Sequence, residues 1–439
     1  MPSIYPKILY DYLILFKFHF NKPSFVYFCG YILSLLLTNG RKTMSRVSGS
    51  CFWVDRHLSS WERFLSENRW DVTEVMQTVV TILRDKLKDK LLVHGAYLAV
   101  VDTFLIAKNG KRMAGIQKWH DGSGNADRGE SIHGHHWAIL GLISYSAKWG
   151  RYLCFPLLLR LISGQLNPSL FIVDPDGVAT IATFWNSIHP LIIQMHIFLQ
   201  HAPLRVVADA YFSKASFINP LLELDNPIHT ITRLAKNRVG WDDPTDDQRS
   251  DAKRGKKWKL SNLLELLPIE TLTVHLYGKM VQVRATSRVL WLSKVKQKVK
   301  VVVIEGVKNP IILMSTDLTL SAAQIIEIYG ARFTVELAIR DNKEYFGMGN
   351  YQCYLGPAIY RFVHLACVAF CLFRLILLDE NNEQWLPQPE KSLAPLSFAR
   401  VRKAFQRHVI GRILSSDFKP GANLEGSQPE LDAILAIVE

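Results

Sequence analysis

Two short apolar runs in this chain each close on an aspartate, and they limit the fold more than any other feature. The first is Leu98-Ala99-Val100-Val101-Asp102-Thr103-Phe104, and the second is Leu204-Arg205-Val206-Val207-Ala208-Asp209-Ala210. Brief β-branched runs without polar alternation read as strands of a sheet covered on both faces. A carboxylate at the end of such a strand is costly to bury unless a cation or hydrogen-bond donors pair with it. A helix cap or an arginine partner explains one such aspartate as readily as chemistry does. Two of them, followed by a third carboxylate on a helix, predict a constellation.

The third carboxylate is Glu336, inside the string Tyr329-x-x-Arg332-x-x-x-Glu336-x-x-x-x-x-x-Lys343. At ~100° per residue, these four positions fall within roughly 60° of one another on a single helix. The spacing predicts one stripe that carries a phenol, a guanidinium, a carboxylate and an ammonium. Ser321-x-x-Gln324 reads as the capping box that starts this helix, with Leu320 as its staple.

Between these landmarks, strands are expected over residues 98–106, 136–144 and 152–162. A helix over 178–194, the strand ending at Asp209, a helix over 214–224 and a strand over 228–235 follow, and 311–314 returns to the sheet. Three strands followed by alternating helix and strand is the order of an RNase H-like α/β fold. That order would bring the ends of the first and fourth strands together.

Asp102, Asp209 and Glu336, the last inside a complete Tyr-(2)-Arg-(3)-Glu-(6)-Lys signature, resemble the catalytic triad of the DDE transposases of bacterial insertion sequences. Two context strings resemble that family as well: Gly115-Ile116-Gln117-Lys118-Trp119-His120-Asp121-Gly122 and Ser315-Thr316-Asp317-Leu318-Thr319-Leu320. The resemblance is strongest over residues 91–378. It implies an RNase H-like catalytic domain there with a β-rich basic insertion at about 236–305. It also implies a helical DNA-end-binding domain over 1–90, while 379–439 form a C-terminal tail.

Three carboxylates without a histidine or cysteine triad select a hard divalent cation, Mg2+ first and Mn2+ second. The resemblance gives Asp102, Asp209 and Glu336 the metals, and gives Tyr329, Arg332 and Lys343 the DNA backbone beside the scissile phosphate. An arginine suits a bidentate phosphate contact and a lysine a point-charge contact. The activity implied is binding of terminal repeats, cleavage and strand transfer into a double-stranded target by a homodimer, acting in the cytoplasm on the bacterial nucleoid. A stand-alone RNase H-like endonuclease and a non-catalytic DNA-binding derivative are the alternatives.

The insertion contributes Lys294, Lys296, Lys298 and Lys300, at every second position. A strand would display all four on one face, either towards phosphates or as a solvated edge. A basic run at Lys253, Arg254, Lys256, Lys257 and Lys259 precedes them. Some members of the family cut through a DNA hairpin and stack a flipped base on a tryptophan of the insertion. Trp258 and Trp291 are the candidates for that role, although neither sits at an alignable position.

The net charge of +13 favours a polyanionic partner. The six cysteines include no C-x-x-C pair, and Cys367 and Cys371 read as packing residues, so a reduced compartment is expected. The apolar stretches at 24–37, 154–162 and 362–378 each fall short of ~20 clean residues, so no membrane span is expected. The start of the chain lacks the pattern of a signal peptide. Trp61, Phe64, Leu65 and Trp70 are read as anchors of the N-terminal helices. His133, His135 and His136, with His120 upstream, read as structural or groove-lining rather than as a metal site. A helix over 398–413 has Phe398, Val401, Phe405 and Val409 on one face and Arg400, Lys403 and Arg407 on another.

Overall fold

The computed structural model describes residues 6–51, 54, 56–120, 131–162, 184–245, 254–306, 308–379 and 398–417. Lys253, Asp121, Gly122, the first turns of the helix expected from residue 178, and most of the 379–439 tail lie outside them.

The described residues form one mixed sheet of thirteen strands with helices packed on it. Its first half is built from β1 (Leu92–Val93), β2 (Ala96–Ala107), β3 (Gln117–His120), β4 (Ser131–Ser146), β5 (Arg151–Ile162), β6 (Leu204–Ala208) and β7 (His229–Leu234). Long antiparallel pairings join β2 to β4 and β4 to β5, while β6 lies parallel to both β2 and β7. Helix α6 (Phe184–Phe198) leads into β6, and α7 (Ala215–Leu222) connects β6 to β7. The expected strand order is therefore observed, with β2 longer than its apolar run. Asp102 lies in mid-strand because the pairing of β2 with β4 continues to Ala107.

The insertion does not stand apart. Strands β8 (Val239–Trp241), β9 (Lys257–Lys259), β10 (Glu270–Leu276), β11 (Lys279–Leu292) and β12 (Lys298–Ile304), with the short α8 (Leu263–Leu266), extend the same sheet. They join it through β13 (Ile311–Ser315), which pairs with β7 on one side and β12 on the other. The apolar positions of β12 from Val299 to Val303 are all buried, so this surface completes the central core.

The N-terminal region carries the helices α1 (Lys7–Leu13), α2 (Lys22–Leu37), α3 (Met44–Gly49), α4 (Leu58–Ser66) and α5 (Val72–Leu87). Trp61, Phe64, Leu65 and Trp70 are all buried. Helices α1, α2, α4 and α5 pack on α11 (Gly356–Leu378), whose Arg361 donates to the carbonyls of Leu65 and Trp70. Their side chains belong to the same apolar core as the sheet. Helix α11 is 23 residues long with a mean hydropathy of 2.0, enough by length and composition to cross a membrane. Most of it is enclosed instead: Cys367 and Cys371 are fully buried, and Cys371 Sγ donates to the Pro156 carbonyl of β5.

The segment expected to be one signature helix is two. Helix α9 (Ala322–Ala331) starts at the predicted Ser321–Gln324 capping box and ends at Arg332, and α10 (Thr334–Tyr345) follows. Arg332 and Phe333 keep right-handed helical angles, but the hydrogen bonds there tighten to i→i−3 spacing, from Arg332 N–H to Tyr329 and from Val335 N–H to Arg332. Such a turn advances more than 100° per residue, so Tyr329 and Glu336 do not share one straight stripe. Helix α10 stops where Gly347 enters the left-handed region at φ 68° and Met348 N–H returns to the Asn342 carbonyl. Helix α12 (Phe398–Asp417) buries Phe398, Val401, Phe405 and Val409 and leaves Arg400, Lys403 and Arg407 outside.

Candidate active site

The parallel register of the central strands builds the site. Val100 of β2 stands opposite Val207 of β6, and two further residues along each strand bring Asp102 level with Asp209. Adjacent strands are ~4.8 Å apart, and the two carboxylates come near enough for the charge of Asp209 to act on Asp102. The next strand continues the row, because Ala208 pairs with Thr232 and the following position of β7 is Arg233. Asp209 is held locally: it caps the short 3-10 turn Ala210–Phe212 by accepting the Tyr211 N–H at 2.9 Å, and its carbonyl accepts the Thr232 hydroxyl.

Helix α10 lies beside β2 and carries the third carboxylate to this face. One guanidinium links the elements: Arg332 donates to Glu336 Oε1 at 2.6 Å and to Asp102 Oδ2 at 3.4 Å. Further along the helix, Lys343 Nζ donates to the Leu105 carbonyl at 3.1 Å and lies 4.6 Å from the centre of the Phe104 ring. Tyr329 is half-buried close enough to Arg332, Arg233 and Asp209 for their charges to act on its phenol, whose pKa burial raises.

Burial dominates the electrostatics of Asp102. Its side chain is 17% exposed, and desolvation raises its pKa from 3.8 to about 6. The Thr103 N–H at 2.8 Å and Arg332 oppose that rise, while the charges of Asp209 and Glu336 add to it. The last two effects show that the three carboxylates feel one another. An oxygen-only set of this kind suits Mg2+ or Mn2+. Among the described residues, however, no three acidic, histidine or cysteine side chains converge tightly enough to grip one ion as they stand. The Arg332 guanidinium supplies the positive charge between Asp102 and Glu336, and Glu336 remains 43% exposed at the rim.

A family model described as DDE superfamily endonuclease matches residues 28–298. The chain belongs to this family. The matched stretch contains Asp102 and Asp209 and ends before Glu336. Membership supports nuclease or transposase chemistry in general, and enzymes of this superfamily generally use divalent metal ions. Among solved structures, the cryo-EM synaptic complex of piggyBac transposase with hairpin DNA aligns over 93% of this chain and 83% of its own. Its identity is 10% and its TM-score 0.34, an overlap too loose to carry any argument about this fold. No curated protein matches the chain.

Several expected site residues sit elsewhere or are already engaged. The four lysines do not share a strand face: Lys294 and Lys296 lie in the turn before β12, with Lys294 at φ 65°, and only Lys298 and Lys300 are on the strand. Lys296 pairs with Glu223, Lys298 pairs with Asp243 at 2.5 Å, and Lys300 donates to the carbonyls of Leu318 and Leu320. Trp258 is only 7% exposed, donates to Asp242 at 2.7 Å, and has Lys256 and Arg288 over its ring at 4.1 and 4.5 Å. That packing leaves it no open face for a base. Trp291 is half-buried and donates to Asp243 at 2.8 Å.

The histidines point different ways. His133 Nδ1 lies 2.9 Å from the Lys108 carbonyl, and His135 sits between Tyr351 Oη and the Ala114 carbonyl at 2.7 and 2.9 Å. His136 packs edge-on to Trp119, and burial lowers its pKa to about 4.

Sequence reasoning missed Arg233 and Tyr211. Arg233 is exposed on the strand next to Asp209, and its signal was the register of the apolar run Ile228–Leu234. Tyr211 follows Asp209 by two residues, inside a segment read only as a strand end.

Proposed function

We propose that the chain is a transposase of the bacterial insertion-sequence type, binding the terminal repeats of its element and cutting and joining DNA at the Asp102–Asp209–Glu336 site. The observation that carries this reading is the parallel pairing of β2 with β6, two residues short of Asp102 and Asp209, with Glu336 reached through Arg332. The β5–β4–β2–β6–β7 order, antiparallel and then parallel, supports an RNase H-like core. The +13 charge supports double-stranded DNA as partner. In this reading the protein works as a homodimer on the nucleoid.

Divalent Mg2+ or Mn2+, when bound, would polarise the scissile phosphate and lower the pKa of the attacking oxygen. Asp102 and Asp209 would hold it, and Glu336 would join them once released from Arg332. Arg332 neutralises the carboxylates before substrate arrives, and its planar fork suits a phosphate afterwards. Arg233 presents a second guanidinium one strand away. The Thr232 hydroxyl and the Tyr211 N–H fix the backbone and carboxylate of Asp209, so its orientation does not depend on the DNA. Lys343, tied to β2, keeps α10 seated beside Asp102.

The test is cleavage and strand transfer in Mg2+ of DNA carrying the sequences that flank the gene, comparing the natural protein with Glu336→Ala. Loss of both products in the variant supports the reading, whereas undiminished cleavage refutes it. Cleavage without joining by the natural protein would favour the second reading, a stand-alone endonuclease, which the description of the matched family suggests.

A further inference from the structure

Next to Asp209 the surface carries an aromatic shelf that the carboxylate chemistry does not use. Tyr211 is 49% exposed although its N–H is bound to the Asp209 carboxylate. Its ring lies 5.7 Å from Trp185 at an interplanar angle of 34°, and 5.2 Å from Phe184, edge-on. The shelf is anchored from below, because Trp185 packs on the buried Phe212 and Phe217 at 5.8 and 5.5 Å. Above it stands a cation: Lys214 Nζ is 4.1 Å from the centre of the Tyr211 ring and 5.9 Å from Trp185.

We propose that Tyr211, backed by Trp185 and flanked by Lys214, is a stacking platform for an unpaired nucleobase of the strand whose phosphate lies at Asp102 and Asp209. The proposal rests on the DNA-processing reading above and adds a binding site to it. Two residues span at most ~7 Å of chain, so the platform starts within one nucleotide's reach of the carboxylates. Aromatic faces accept any base, and an adjacent ammonium suits the phosphate that accompanies it. Exposure alone would fit a protein contact equally well. The cation on the shelf and its covalent neighbour Asp209 favour a nucleotide. Trp258 and Trp291, the tryptophans of the insertion, are packed against the carboxylates Asp242 and Asp243, whereas Tyr211 stays 49% exposed beneath one lysine.

The probe is a DNA duplex interrupted by a short single-stranded gap, with 2-aminopurine placed at each gap position in turn. Stacking on Tyr211 quenches the fluorophore at one position with the natural protein. Tyr211→Leu abolishes that quench and weakens binding of the gapped duplex roughly tenfold, while binding of fully paired duplex stays within about twofold. Tyr211→Phe keeps the ring and restores both signals, which separates stacking from misfolding. An unchanged quench in Tyr211→Leu overturns the platform. So does a loss of self-association in sedimentation with the quench intact, which would make the shelf a protein interface. Cleavage of flanking-sequence DNA by the natural protein is measured first. Its absence would refute the underlying reading, whereas its presence with an unaltered Tyr211→Leu refutes the platform alone.

Discussion

Asp102 should weaken the metal-free protein that it serves. In the folded chain its pKa is about 6, against 3.8 for the unconstrained group. A carboxyl whose pKa is raised by folding contributes stability below the unfolded value and loses it as pH rises through the folded one. The difference between 6 and 3.8, at 1.36 kcal/mol per decade, is a cost of about 3 kcal/mol at pH 7.5. Evaluating both titrations at pH 4.5 leaves about 1 kcal/mol of that cost, so about 2 kcal/mol develops between pH 4.5 and 7.5. Asp102→Asn has nearly the same shape and cannot ionise, and its amide oxygen can still accept the Thr103 N–H. Denaturant unfolding in EDTA should therefore show the variant gaining about 2 kcal/mol on the natural protein over that pH interval. Mg2+ should then offset most of that cost at pH 7.5: at a hundred times its dissociation constant it adds ~2.7 kcal/mol to a protein that binds it, and the variant lacks the ligand. A constant difference between the two proteins across pH, or equal stabilisation of both by Mg2+, would refute the account of Asp102 as a desolvated carboxylate awaiting a cation.

Arg332→Gln removes the cation between Asp102 and Glu336, so calorimetric Mn2+ affinity without DNA should rise about tenfold while affinity for DNA falls. Unchanged Mn2+ binding would mean that the guanidinium does not compete with metal. Buried Lys42 has its pKa lowered to about 7, chiefly by burial, with Arg402 and Arg46 adding to it. A base depressed in this way costs stability while charged, so unfolding free energy should rise from pH 6 to 9 in the natural protein and flatten in Lys42→Met. Trp258→Ala should cost about 3–5 kcal/mol of unfolding free energy by denaturant. A hairpin-specific cleavage defect at unchanged stability would instead restore Trp258 as a base-stacking residue.

Fold and site differed in how far they could be read from sequence. Runs such as Leu98–Val101 and Leu204–Ala208 read as strands buried on both faces, and they form the parallel neighbours β2 and β6. The turn at Arg332–Phe333 was not legible, because every residue there tolerates a helix. The alternating lysines failed for a related reason: period two is a strand signal only where the chain is extended. The hairpin turn between β11 and β12 takes up Lys294 and Lys296 before the strand begins. Trp258 illustrates a third limit. A tryptophan in a basic insertion reads as a ligand surface until its partners are known, and the bidentate Arg288–Asp242 pair that closes it is 46 residues apart in sequence.

The role of Arg332 follows from the same limit and changes what the signature string means in this chain. Residue type and spacing could assign a guanidinium to phosphate, but not the order in which its partners arrive. The charges of Asp209 and Glu336 both oppose ionisation of Asp102, and a metal-free chain must fold with that repulsion in place. Arg332, at the junction of α9 and α10, is the residue whose backbone is set by the tightened turn and whose side chain reaches both Asp102 and Glu336. The turn that interrupts the helix thus lies at the residue that carries this counter-charge. Removing the Arg332 side chain would leave Asp102 desolvated without that counter-charge.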